Sequence, residues 1–108
     1  AGASWESFVI EQILGALQAK GQSYQPFFLR TSDQKEIDLI LDFGQKTWAF
    51  EIKLTTNPSP GEVKQFDKIA DQIGADKRIF VCRIPNPIES EQMNVTTLPG
   101  ALSLLENK

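Results

Sequence analysis

EIDLILDFGQKTWAFEIKL, residues 36–54, reads as two strands and the turn that joins them. Ile37, Leu39, Leu41 and Phe43 alternate with Asp38, Ile40 and Asp42, and Phe50, Ile52 and Leu54 alternate with Glu51 and Lys53. Successive side chains on a strand point to opposite faces, so each run has one apolar face and one face that carries charge. Gly44, Gln45 and Lys46 break the pattern, and a hairpin is the natural connection. Asp38 then shares its face with a buried-looking Ile40, on a strand beside the one that carries Glu51 and Lys53. That second face is either wet or a site.

The flanking sequence supplies the other elements. Ser4 can cap a helix from Trp5 to about Lys20, stopped by Gly21. QPFFLRT, residues 25–31, reads as a short strand, and SDQK as a polar turn. After TTNPSPGE, in which Ser59 is a cap and Pro60 a first helical residue, Val63, Phe66, Ile69, Ala70 and Ile73 recur at helical spacing up to Gly74. RIFVCRI, residues 78–84, is an apolar strand, PNPIESEQ a loop, MNVTTL a short strand, and a last helix runs near Pro99 to Glu106. The order is αβββαβ followed by a small βα unit. A helix between two strands is the usual crossover of a parallel pair, so the expected fold is α/β, a mixed sheet flanked by helices.

Composition narrows the function. A chain of 108 residues, 41% hydrophobic and 23% charged, is one globular domain spanning residues 1–108. No apolar stretch approaches the roughly 20 residues a membrane helix needs, so no membrane partner and a cytoplasmic location are expected. There is no histidine, which excludes Ser-His and Cys-His catalysis and imidazole metal sites. The single cysteine, Cys82, sits among apolar neighbours and reads as a small buried hydrophobe. Any metal must therefore be held by oxygen, which favours Mg²⁺ or Mn²⁺. The net charge of −3 gives no general basic field of the kind most nucleic-acid binders carry. The chain begins at Ala1 without a methionine and has no Walker-type glycine loop, and is expected to be a fragment of something longer.

One acid sits in the wrong place on the first helix. With Trp5 at zero and about 100° per residue, Ala16, Val9, Ile13, Leu17, Ile10 and Leu14 span roughly 20 to 180°, and Glu6 falls at about 100°. Taken alone, Glu6 could simply complement the helix dipole at the first turn, and the hairpin acids could be surface charges. Together, Glu6, Asp38, Glu51 and Lys53 form a more specific constellation on one helix and two adjoining strands. Carboxylates that converge on one point repel one another and resist desolvation unless a cation binds among them. Lys53 would then orient or deprotonate a water, or stabilise charge building on a phosphate.

These four residues resemble the signature of the PD-(D/E)XK nuclease superfamily, whose restriction-endonuclease-like core is αβββαβ, with Asp on the second strand and Glu-x-Lys on the third. WESFVIEQIL, FFLRTSDQKEIDLIL and FEIKL more closely resemble the nuclease-like domain found C-terminal to AAA-type ATPases of bacteria and archaea, over nearly the whole chain. The resemblance implies Mg²⁺-dependent hydrolysis of a DNA phosphodiester: Asp38, Glu51 and the carbonyl of Ile52 as metal ligands, Glu6 as an accessory ligand or an acid that supports the ligands from behind, and Lys53 acting on the attacking water. It also implies an ATPase domain in the same chain, with a homo-oligomer compatible. Ile37 stands before Asp38 where the stricter pattern has proline, and Gln65 is followed four residues on by Ile69 rather than tyrosine.

Arg30 and Lys35, flanking the turn before Asp38, and Lys64 and Lys68 on the outer face of the second helix, are candidate DNA phosphate contacts or else a solvated face. Gln65, on the edge of its helix's apolar arc, either reaches the site or meets solvent, and solvent is the commoner fate of a surface glutamine. A metal-dependent DNA nuclease domain accounts for all four site residues. The alternative is a nuclease-fold module that binds DNA or an AAA-type ATPase without cutting, which the acidic balance favours; a third is a structural α/β domain whose acids are solvated.

Overall fold

A computed structural model describes residues 2–108, in the order α1 (Gly2–Lys20), β1 (Gln25–Arg30), β2 (Glu36–Asp42), β3 (Thr47–Ile52), α2 (Pro60–Gln72), β4 (Lys77–Val81), β5 (Met93–Thr96) and α3 (Leu98–Glu106). The hairpin closes as its sequence indicates: Phe43 N–H donates to Lys46 O at 2.8 Å, and Gly44 takes a φ of 94° that a side chain would resist. Asp42 faces Thr47 and the antiparallel register continues to Leu39 opposite Phe50. β1 adds antiparallel to β2, and β4 and β5 add parallel on the far side of β3. The protein is thus α/β, a five-stranded mixed sheet in the order β1-β2-β3-β4-β5.

Helices cover both faces. Val9, Ile13 and Leu17 of α1, with Ala101 and Leu105 of α3, pack on Leu39, Leu41, Trp48, Phe50, Ile52, Ile79 and Val81. Phe66, Ile69 and Ala70 of α2 pack on Ala49, Phe80, Cys82 and Val95, with Phe66 and Phe80 meeting edge to face at 6.1 Å. α2 starts where its capping residues dictate: Ser59 Oγ accepts from Glu62 N–H at 3.1 Å, and Glu62 Oε1 accepts from Ser59 N–H at 3.3 Å. Its far half is pinned by Arg78, whose buried guanidinium donates to Asp67 Oδ1, Asp71 Oδ1 and Ala75 O. That clamp holds α2 in register over the sheet.

Two expectations need correction. Ser4 does not cap α1, because the helix is already formed at Gly2; its C-terminal stop is as read, with Gly21 at φ 72° and Gln22 N–H closing onto Leu17 O. Ile37 does not share the face of Leu39 and Leu41, but packs in the layer under α2. The pairing of β1 with β2 gives the reason. Phe27 faces Ile40 and Leu29 faces Ile37, so Asp38 and Leu39 together stand against Phe28 alone. Two residues against one is a β-bulge, and it reverses the alternation on one side of itself. No helix among the described residues is long and apolar enough to cross a membrane.

Candidate active site

The bulge re-aims Asp38. Regular pairing between β2 and β3 stops at Leu39 opposite Phe50, and the N–H of Ile52, which a continuing ladder would use, donates instead to Asp38 Oδ2 at 2.7 Å. The carboxylate therefore lies in the seam between the two strands, half-buried and fixed by a backbone donor. Glu6 reaches it from α1, where its position inside the apolar arc turns it toward the sheet, and Glu51 reaches it from β3. Both carboxyl groups come within hydrogen-bonding range of Asp38.

Glu6 and Glu51, each partly buried beside Asp38, resist ionisation. Burial, then the hydrogen bond and charge of Asp38, push the Glu51 carboxyl up to about 9, with Lys53 drawing it down and Glu36 adding to the rise. Glu6 is raised for similar reasons, burial first and Asp38 second, with Arg30 opposing. Glu51 Oε1 is buried without a hydrogen-bond partner. An orphaned carboxylate oxygen beside two other acids is expensive, and persists only where something else satisfies it.

Two clefts open onto this seam. One, of about 180 Å³, is lined by Glu6, Ile10, Phe28, Arg30, Glu36 and Asp38 among others; the second, of about 200 Å³, by Gln34, Glu36, Glu51, Lys53, Glu62 and Gln65 among others. Glu36 is common to both. A larger hollow of about 540 Å³ lies between the C-terminal ends of α1 and α3, but its lining is mainly apolar and Lys20 Nζ there donates to the carbonyls of Leu105 and Glu106. It brings together no cluster of titratable groups, so the smaller clefts are where chemistry is concentrated.

The structure thus sets Glu6 and Glu51 each beside Asp38, with Glu6 and Asp38 on one cleft and Glu51 and Lys53 on the other. The Ile52 side chain is in the core and its N–H serves Asp38. Gln65 is exposed, at the rim of the Lys53 cleft. Arg30 sits in the Glu6 cleft, paired with Glu36 at 3.4 Å; Lys35 is loosely paired with Asp33 at 3.8 Å; Lys64 and Lys68 are exposed and line neither cleft. Cys82 is buried and its thiol is pushed up by that burial, as an inert cysteine's is. Glu36, two residues before Asp38, was not among the sequence candidates. Its only signal in the sequence is its place two residues before the candidate Asp38 on the same strand.

For a metal, the donors suit a hard divalent cation: carboxylates only, one with an unsatisfied buried oxygen. Among the described residues no group of three or more acidic or thiol side chains is already gathered into a ligand set. The residues fit Mg²⁺ or Mn²⁺ in chemistry, and the repulsion among them is what such an ion relieves.

A family profile described as Domain of unknown function (DUF4143) matches residues 1–100. The chain belongs to that family. Over 58 residues this DUF4143 domain is 45% identical to an uncharacterized protein of Mycobacterium bovis and, equally, to one of Mycobacterium tuberculosis. The matched stretch is 54% of the chain and spans only 12% of the length of each relative.

Proposed function

We propose that this DUF4143 domain is a metal-dependent DNA nuclease of the PD-(D/E)XK type. The observation that carries the reading is Glu51: a half-buried carboxyl with an orphaned oxygen, set beside Asp38, with Lys53 on the same cleft. Asp38 and Glu51 would hold Mg²⁺ or Mn²⁺, with Glu6 alongside and the Ile52 carbonyl as a further ligand. When bound, the ion supplies Lewis-acid charge for the phosphodiester and acidifies a water. The Ile52 N–H holds the Asp38 carboxyl oriented in the seam. Glu51 must give up its proton as it becomes a ligand, so cation binding strengthens with rising pH. Lys53 places an ammonium beside Glu51, where it can orient the attacking water or donate to a phosphate oxygen.

DNA is the proposed partner, in a cytoplasmic setting, with an AAA-type ATPase domain in the same longer chain and self-association compatible with it. A second reading, a nuclease-fold module that binds DNA or an ATPase without cutting, has one observation in its favour: among the described residues no ligand set is gathered in advance. Incubation with plasmid and linear DNA separates the two. Cleavage with Mg²⁺ or Mn²⁺, abolished by chelator and reduced at least about a hundredfold in Lys53→Ala and in Asp38→Ala, supports the nuclease. Cleavage indifferent to both substitutions refutes it, and retention of DNA without any cleavage selects the second reading.

A further inference from the structure

The two edges of the sheet are treated differently. β5 is covered, because Ile88 exchanges two hydrogen bonds with Val95 at 2.9 and 2.8 Å. β1 is the other edge, and it carries Phe27 and Phe28 at 49% and 78% exposure. A phenylalanine left in water forgoes about 2 kcal/mol of burial, so Phe28 contributes little to the core. It stands opposite the Asp38–Leu39 bulge and forms part of the wall of the cleft that holds Glu6 and Asp38. Arg30, two residues on and on the same cleft, is held only by an exposed 3.4 Å pairing with Glu36. Such pairs contribute little and exchange readily for another anion.

We infer that the strand entering this site is unpaired DNA, with one base stacked on the Phe28 ring and the adjoining phosphate on Arg30. The inference rests on the nuclease reading and adds the substrate class. In a duplex the faces of the bases are hidden and only their edges and the backbone are offered, whereas an unpaired base presents a flat π-face that an exposed aromatic ring can take. Charge decides in the same direction. Among the described residues Arg30 is the one cation lining this cleft, against Glu6, Glu36 and Asp38, so phosphate neutralisation there is small and stacking supplies a large share of the affinity. Phe28 and Arg30 lie about 7 Å apart along the strand, a span one nucleotide bridges from base to phosphate.

The test uses the 108-residue chain carrying Lys53→Ala, so that binding is read without cutting, and an end-labelled oligothymidine compared by fluorescence anisotropy with a blunt hairpin duplex of similar length. The single strand binds more tightly; adding Phe28→Ala weakens it about tenfold, Phe28→Trp restores it, and Phe28→Leu, which keeps apolar area without the π-face, does not. Melting temperatures of the Phe28 variants stay at the parent value, because the side chain is 78% exposed. Equal affinity of Phe28→Ala and its parent, full rescue by leucine, or a preference for duplex overturns the inference. Cleavage is then measured with Lys53 restored. Metal-dependent cutting of duplex as fast as single strand, unaffected by Phe28→Ala, overturns the substrate assignment and leaves the nuclease standing; absence of cutting on every substrate removes both.

Discussion

Glutamine at position 51 should make the protein more stable at neutral pH while weakening the proposed cation binding. The folded state keeps the Glu51 proton up to about 9, against an ordinary value of 4.5 in the unfolded chain. Between those values the folded state binds one more proton than the unfolded state, so stability falls as pH rises, by about 1.4 kcal/mol per unit. Below about 4.5 both states are protonated and nothing is lost; above about 9 both are ionised and the full penalty is present. At about pH 7.5, three units into the window, the limit is about 4 kcal/mol, and partial access of solvent to the side chain brings it to about 2 kcal/mol. Glu51→Gln keeps the shape, carries no such penalty, and offers an amide N–H to the Asp38 carboxylate. Urea denaturation of both proteins in chelator, from about pH 5 to 9, should show near-equal stability at the acid end. At about pH 7.5 the variant should lead by about 2 kcal/mol, or roughly 8 °C in melting temperature. A variant that is less stable at neutral pH, or a wild-type curve that does not fall with pH, would refute the claim that Glu51 is held protonated by its surroundings.

Two further outcomes test the scaffold. Gly100→Ala would bring a Cβ inside contact distance of Thr96 Oγ1, on a fully buried β-branched side chain that cannot swing away, so a loss of about 2 kcal/mol is expected in thermal melts, partly recovered by Thr96→Ser only if the crowding involves the methyl as well as the hydroxyl. Arg78→Ala removes the donor to Asp67, Asp71 and the Ala75 carbonyl and leaves a void beneath α2, costing about 3 kcal/mol by chemical denaturation, whereas Asp71→Asn, at the exposed end of the same clamp, should cost under about 1 kcal/mol.

The hairpin, the Ser59 cap and the glycine stops were legible because each is fixed by a few neighbouring residues. Glu6 was legible for a different reason: it is the one acid inside an apolar arc, and a periodic pattern makes an exception conspicuous. The bulge at Asp38 was not. Slipping the alternation by one carries Ile37 from one layer to the other, and since both faces of this sheet are covered, an isoleucine suits either and the pattern shows no flaw. QPFFLRT read as a short strand, and nothing in it told that β1 would be an edge with Phe27 and Phe28 exposed. Strand order is decided by partners remote in sequence, and local periodicity does not report it. Glu36 was read only as the first residue of its strand, and its place on both clefts depends on how β2 leaves the ladder.

Calorimetric titration of Mn²⁺ into the wild-type chain and into Asp38→Ala, each at about pH 6 and about pH 8, tests the central claim most directly. The account predicts saturable binding by the wild type, tighter at the higher pH and accompanied by proton uptake into the buffer as Glu51 ionises, and no binding by Asp38→Ala. Absence of binding by the wild type at either pH, or equal binding by Asp38→Ala, would contradict it.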